Sequence, residues 1–273
     1  MTEPKAPVVT HNPWRRLRQY TDARIGLGRA GISLPTAELL AFQLAHAQAR
    51  DAVHFPLDID ALLHSLGEVA AIAAFGDALS LQSQAPDRVT YLQRPDLGRD
   101  LSEASVARLQ KLRQAIKQPP DIALVIADGL SSRAVQQNAV PFIDQFITDL
   151  ATQNPEIHMT PPILVEQGRV AIGDEVGHLL GARQVVVLIG ERPGLSSPDS
   201  LGIYLTYGPE PGLPDARRNC ISNIRPAGLS FEQASQRLLY LIQEAARLKL
   251  SGVALKDRSA EVMIEGNPQE NFL

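Results

Sequence analysis

A single cysteine, Cys220, stands in 273 residues, so no intrachain disulfide can form and packing must hold the fold. Long apolar runs are missing as well. None approaches the roughly 20 residues needed to cross a bilayer, which removes a membrane-spanning helix from the expectation. Excess charge is small, at −4 net, and offers no broad basic surface to nucleic acid or anionic lipid. The local cluster Arg15, Arg16 and Arg18 reads as a solvated face or a protein contact. Residues 1–9 hold prolines and an acid where a secretory signal would have a basic start and an apolar core. Together with the lone thiol, this points to an intracellular, reducing compartment.

Catalytic and metal signatures are equally sparse. Histidines at 11, 46, 54, 64, 158 and 178 form no HExxH pair, and no second cysteine completes a zinc site. No G-x-S-x-G elbow is present. GLGRAG, residues 26–31, fits the dinucleotide pattern, with Asp51 near the spacing of a ribose-binding acid. No apolar strand precedes it, however, and Pro35 follows soon after, so these glycines are expected to serve turns or close packing instead of NAD. EVGHLLG, residues 175–181, holds only half of the D-x-H-x-x-G cobalt-ligating motif, because Val176 stands where the acid belongs. His178 is therefore expected on a helix face.

What is present is a pattern of elements. With 44% hydrophobic and 21% charged residues the composition is that of a globular protein. Residues 36–53 have apolar spacing for a helix, with Thr36 as its cap, and residues 58–74 predict a second, weakened by Gly67. Residues 88–93 alternate like a short strand, and residues 102–117 read as helical. QPPD, residues 118–121, is the best boundary, because consecutive prolines cannot continue a helix. Beyond it, strands are expected at residues 122–127, 163–172, 184–189 and 201–207. Helices are expected at residues 133–150, with a kink or restart at Pro141, and at 174–180. A last helix opens with the capping box Ser230 and Gln233 and closes near Gly252. From Lys256 the chain is polar and expected to fray. The fold class is thus α/β: a mainly helical region at residues 1–119, then a Rossmann-like, mostly parallel sheet domain at residues 120–273.

Ligands of open α/β sheets bind at the carboxyl ends of strands. VVVLIGERPGL, residues 185–195, places Glu191 at such an end; it is either a site residue or the solvation of a turn. Asp128 ends another strand, as a general base or as an Asx turn or helix cap. Cys220 reads as a nucleophile or as a small buried filler. No complete catalytic set emerges, which suggests a binding subunit whose partner does the chemistry.

Six blocks carry a resemblance: TDARIGLGRAG (21–31), YLQRPDLGR (91–99), DIALVIADGLSSRAV (121–135), GRVAIGDEVG (168–177), LIGERPGL (188–195) and CISNI (220–224). In this order they resemble the small chain of ethanolamine ammonia-lyase. That resemblance implies a large barrel-shaped partner subunit, adenosylcobalamin bound between the two chains, and conversion of ethanolamine, bound by the partner, to acetaldehyde and ammonia. It places cobalamin contacts at Val170, Glu191 and Cys220 and no catalytic group on this chain. It further implies base-on cofactor, with benzimidazole as the lower cobalt ligand and no protein metal ligand, and radical chemistry begun by breaking the cobalt–carbon bond. The implied location is the cytoplasm, or a bacterial microcompartment within it. Compared with some members, the amino-terminal extension is short and lacks a clear amphipathic targeting helix. Two rival classes are an NAD-dependent oxidoreductase, which would bind NADH alone, and a non-catalytic scaffold or regulator, which would bind a protein but no corrinoid.

Overall fold

Two uninterrupted apolar runs become the middle of a six-stranded sheet, because only strands covered on both faces can bury every side chain. These are β2 (Ile122–Ala127) and β4 (Gln184–Gly190). Around them lie β1 (Leu79–Gln82), β3 (Ile163–Glu166), β5 (Leu201–Tyr207) and β6 (Arg218–Ile224), in the order β1-β3-β2-β4-β5-β6. The first four in that order are mutually parallel, and β5 runs antiparallel to both of its neighbours, β4 and β6. The computed structural model describes residues 8–259. Among these, no helix is long and apolar enough to cross a membrane.

The helices are α1 (Thr36–His54), α2 (Ile59–Gly67), α3 (Ala70–Ala73), α4 (Arg88–Gln93), α5 (Glu103–Ala115), α6 (Ser132–Gln153), α7 (Ile172–Leu180) and α8 (Phe231–Leu248). The strand period of two sorts the core into two layers. Leu124, Val186, Ile203 and Ile221 meet Phe142 and Phe146 of α6 and Leu238 and Ile242 of α8. On the opposite face, Val125, Val185 and Val187 meet Leu109 of α5 and Ile172 and Val176 of α7. Cover on this second face is incomplete over β5 and β6: Tyr204 is half-buried, and Cys220 and Ser222 are exposed.

Several expectations are corrected. Residues 88–93 form helix α4, not a strand. Asp87 caps it by accepting from the Thr90 amide at 2.8 Å, and the buried residues Arg88 and Tyr91 are spaced by three, the helical repeat. Residues 58–74 split into α2 and α3, with Val69 extended between them. The extended stretch expected over residues 163–172 ends at Glu166, since Gln167 takes a left-handed conformation, φ 55°. The last helix stops at Leu248, where Lys249 is left-handed, three residues before Gly252. Strand β6 was not anticipated, and neither was β1. Strand β1 lies before Pro120, yet pairs with β3 along the sheet edge. Helix α6 runs unbroken through Pro141, on its exposed side. Most of the tail beyond Lys256 lies outside the described residues.

GLGRAG forms turns. Gly26 and Gly28 have φ of 61° and 77°, and a Cβ on either would come within 2.6 Å of the Arg15 amide nitrogen or the Thr10 carbonyl oxygen. These glycines let residues 8–35 fold back on themselves, and Asp51 sits inside α1.

Candidate functional site

Glu191 follows directly on β4, so a strand buried along its whole length sets its backbone position. Its amide donates to the Ser200 carbonyl at 3.0 Å, which closes the loop of residues 191–200. One carboxylate oxygen, Oε2, accepts from the Ser200 hydroxyl at 2.5 Å and the Asn223 amide at 3.3 Å. The other, Oε1, lies over Gly202, where a Cβ would stand 2.9 Å from it. Glycine there is what allows the carboxylate to lie flat across β5. Glu191 is thus ordered by partners on three segments and does more than solvate a turn.

Cys220 is exposed on β6 and pairs across the ladder with Tyr204 of β5. This corrects the buried-filler reading. Strand alternation turns Ile221 inward and Cys220 outward, and a register irregularity near Leu201 and Ile203, with Asn223 left-handed, bends this end of β6. Protein around the sulfur still raises the thiol pKa; the Tyr204 hydroxyl opposes this and the Glu191 charge adds to it. Burial raises the pKa of Tyr204, and Cys220 and the Glu191 charge add to it. A thiol held protonated is a poor nucleophile. Glu191, Tyr204 and Cys220 therefore form one contiguous patch.

Val170 is half-buried just ahead of α7 and packs on the core layer that Tyr204 also touches. Its loop is anchored from below. Asp128, fully buried at the end of β2, accepts from the Gly168 amide at 3.0 Å and faces the Arg88 guanidinium at 3.3 Å. Burial pushes its carboxyl up to about 6, against the pull of Arg88 and the amides of Gln167 and Gly168. Asp128 does not cap α6, because Ser131 does. Arg88 also donates to the carbonyls of Val53 at 2.7 Å and Gly129 at 2.8 Å, and lies 5.0 Å from the Tyr91 ring centre. Tyr91 in turn donates to the Gly168 carbonyl at 3.1 Å, and Arg169 lies 4.5 Å over its ring. Sequence reasoning missed Arg88 and Tyr91 because they fell within the misread strand; the Asp87-x-x-Thr90 cap was the available signal.

Val170 and Glu191 thus lie just past the carboxyl ends of β3 and β4, while Cys220 lies farther down the same sheet face, in β6 opposite Tyr204, which pairs with Val187 in the middle of β4. His178 is exposed in the last turn of α7, and Val176 beneath it is buried. Among the described residues, no group of three or more His, Cys, Asp or Glu could hold a metal ion.

The chain is thus an open α/β sheet protein with an ordered accepting carboxylate on a half-covered sheet face. Comparison with known proteins narrows the class. The family model described as ethanolamine ammonia-lyase light chain matches residues 11–256. The chain is 54% identical over 258 residues to the ethanolamine ammonia-lyase small subunit of Azotobacter vinelandii, covering 94% of this chain and 93% of that one. It is 55% identical to the small subunit of Pseudomonas putida, with 96% and 95% covered, and 55% identical to that of Ralstonia nicotianae, with 97% and 95% covered. The chain belongs to the ethanolamine ammonia-lyase light chain family, and is an ammonia-lyase subunit.

Proposed function

We propose that this chain is the small subunit of a cytoplasmic ethanolamine ammonia-lyase that assembles with a large barrel subunit and, on the Glu191 shelf, holds adenosylcobalamin between the two. Ethanolamine is bound and deaminated on the partner. The observation that carries the reading is the ordered Glu191 carboxylate over Gly202, in a chain matching the light-chain family along almost its whole length. The residues fit the group. Corrin side chains end in amides that donate hydrogen bonds; Glu191 accepts them, Val170 and Cys220 supply apolar and sulfur contact, and the half-covered face of β5 and β6 leaves room for a flat ring. When bound, the cofactor supplies the radical chemistry. This chain's part is to orient the ring and keep water from one side of it.

Base-on binding is supported by Val176, since no carboxylate stands two residues before His178 to orient that imidazole toward cobalt. Isotopically labelled benzimidazole should split the cobalt(II) resonance, and splitting by a labelled protein histidine would refute this. The test of the main reading is direct. Copurified large and small chains are mixed with adenosylcobalamin and passed through gel filtration. Corrinoid absorbance should travel with both chains, and ethanolamine should yield ammonia only when both are present. Absorbance that leaves the complex entirely, or ammonia from this chain alone, would refute it.

A further inference from the structure

Exposed large apolar side chains are not spread evenly. Eleven of the fifteen among the described residues lie between Val8 and Phe55, including Trp14 at 63%, Tyr20 at 78%, Leu40 at 58% and Leu44 at 60% exposure. The 3-10 helix Pro13–Gln19 buries no residue, and α1, with 19 residues, buries only Ala52. Leu39, Leu40, Phe42 and Leu44 fall on more than one side of α1, so no single stripe faces the body of this chain. A helix apolar around most of its circumference belongs in an interior. This arm is nonetheless ordered within itself. Arg18 grips Glu38 with two hydrogen bonds of 2.9 and 2.7 Å, and Thr10 pairs with Arg29.

We infer that residues 8–54 are the docking surface for the large subunit, whose matching face is apolar with an acidic rim. The inference rests on the proposed role as small subunit and names the surface that serves it. Two features choose this occupant. Trp, Tyr, Phe and Arg are the residues enriched at interface centres, and here Trp14, Tyr20 and Phe42 stand among Arg15, Arg16 and Arg24. Residues 8–54 also carry six arginines against three acids, Asp22, Glu38 and Asp51, on a chain of net charge −4. A second copy of this chain would bring the same arginines face to face, whereas an acidic partner is attracted.

The test uses the full chain with the large chain of the same organism. Trp14→Ser, Leu40→Gln and Leu44→Gln are combined; all three side chains are exposed, so the circular dichroism and melting of the small chain alone should match the parent. The dissociation constant for the large chain should rise at least about a hundredfold. Val253→Gln, changed at an equally exposed site on the body, should leave it unchanged. Hydrogen exchange on the parent should show residues 36–54 gaining protection when the large chain is added. Parent-like affinity in the triple variant overturns the surface while leaving the subunit reading intact. No complex with the parent chain overturns both. Should the variant misfold, exchange decides: no protection of residues 36–54 in the complex, or equal protection in a dimer of the small chain alone, overturns the inference.

Discussion

Helices α1 and α8 are nearly the same length, and each looks from its spacing like a core helix, yet they meet opposite fates. Of its 18 residues α8 buries seven, among them Leu238, Leu241 and Ile242, against β5, β6 and α6. The 19 residues of α1 bury one. What separates them is how the apolar positions are arranged. In α8 they gather on one stripe opposite Glu232, Arg237 and Glu244, whereas in α1 Leu39, Leu40, Phe42 and Leu44 wrap the axis among alanines. A single stripe can be satisfied by one sheet. Apolar residues on several sides need more cover than this chain provides.

The largest expected effect lies at the junction of arm and body. Arg88→Met should cost about 3–5 kcal/mol in urea unfolding, because it strands the Asp128 carboxyl without its partner. A cost near zero would show that the pair is dispensable and the two regions hardly joined. Next, Leu238→Ala in α8 should cost about 2–5 kcal/mol, while Leu40→Ala in α1 should change the isolated chain by less than about 0.5 kcal/mol. Equal costs would break the comparison.

Asp128 adds a pH dependence to the body. Its folded pKa of about 6 exceeds the ordinary 3.8, so between these values the folded state binds more protons than the unfolded one. Stability from this group is therefore full below about pH 4 and falls by at most about 3 kcal/mol as pH rises through 6. Asp128→Asn removes that fall, so the stability gap between parent and variant should narrow from pH 4 to pH 7. A gap that widens would contradict the assignment. The smallest effect belongs to the shelf. Glu191→Ala should raise the cobalamin dissociation constant of the assembled complex about tenfold to a hundredfold, and Glu191→Gln less, since an amide oxygen still accepts. Identical titrations for parent and both variants would remove Glu191 from the site.

The contrast also explains what the sequence made legible. Strands β2, β4 and β5 and helices α6 and α8 were readable because each is long and buries one regular pattern. β1 was not, since its four residues at a sheet edge bury only Leu81. The direction of β5 was equally hidden, because antiparallel return depends on a loop and not on periodicity, and β6 was not read as a strand at all. Glu191 could be found from its place after a buried strand. Its order could not, because Ser200, Gly202 and Asn223 reach it from later segments. Cys220 was read from residue type as a nucleophile or a buried filler, and the uncovered outer face of β6 leaves it exposed. Arg88 and Tyr91 sit in a six-residue helix whose meaning comes from partners on other segments.

Those partners set an order of events during folding. Arg88 bonds to groups 35, 40, 41 and 79 positions away, at Val53, Asp128, Gly129 and Gln167. Closing loops of that size costs entropy before any bond repays it, and a guanidinium surrenders its water only when acceptors are waiting. Arg88 is therefore expected to gain its full set of acceptors only once β2 and β3 are paired. The loop bearing Val170 hangs on the same set of bonds, so a chain that lacks them is expected to loosen at this edge before its sheet comes apart.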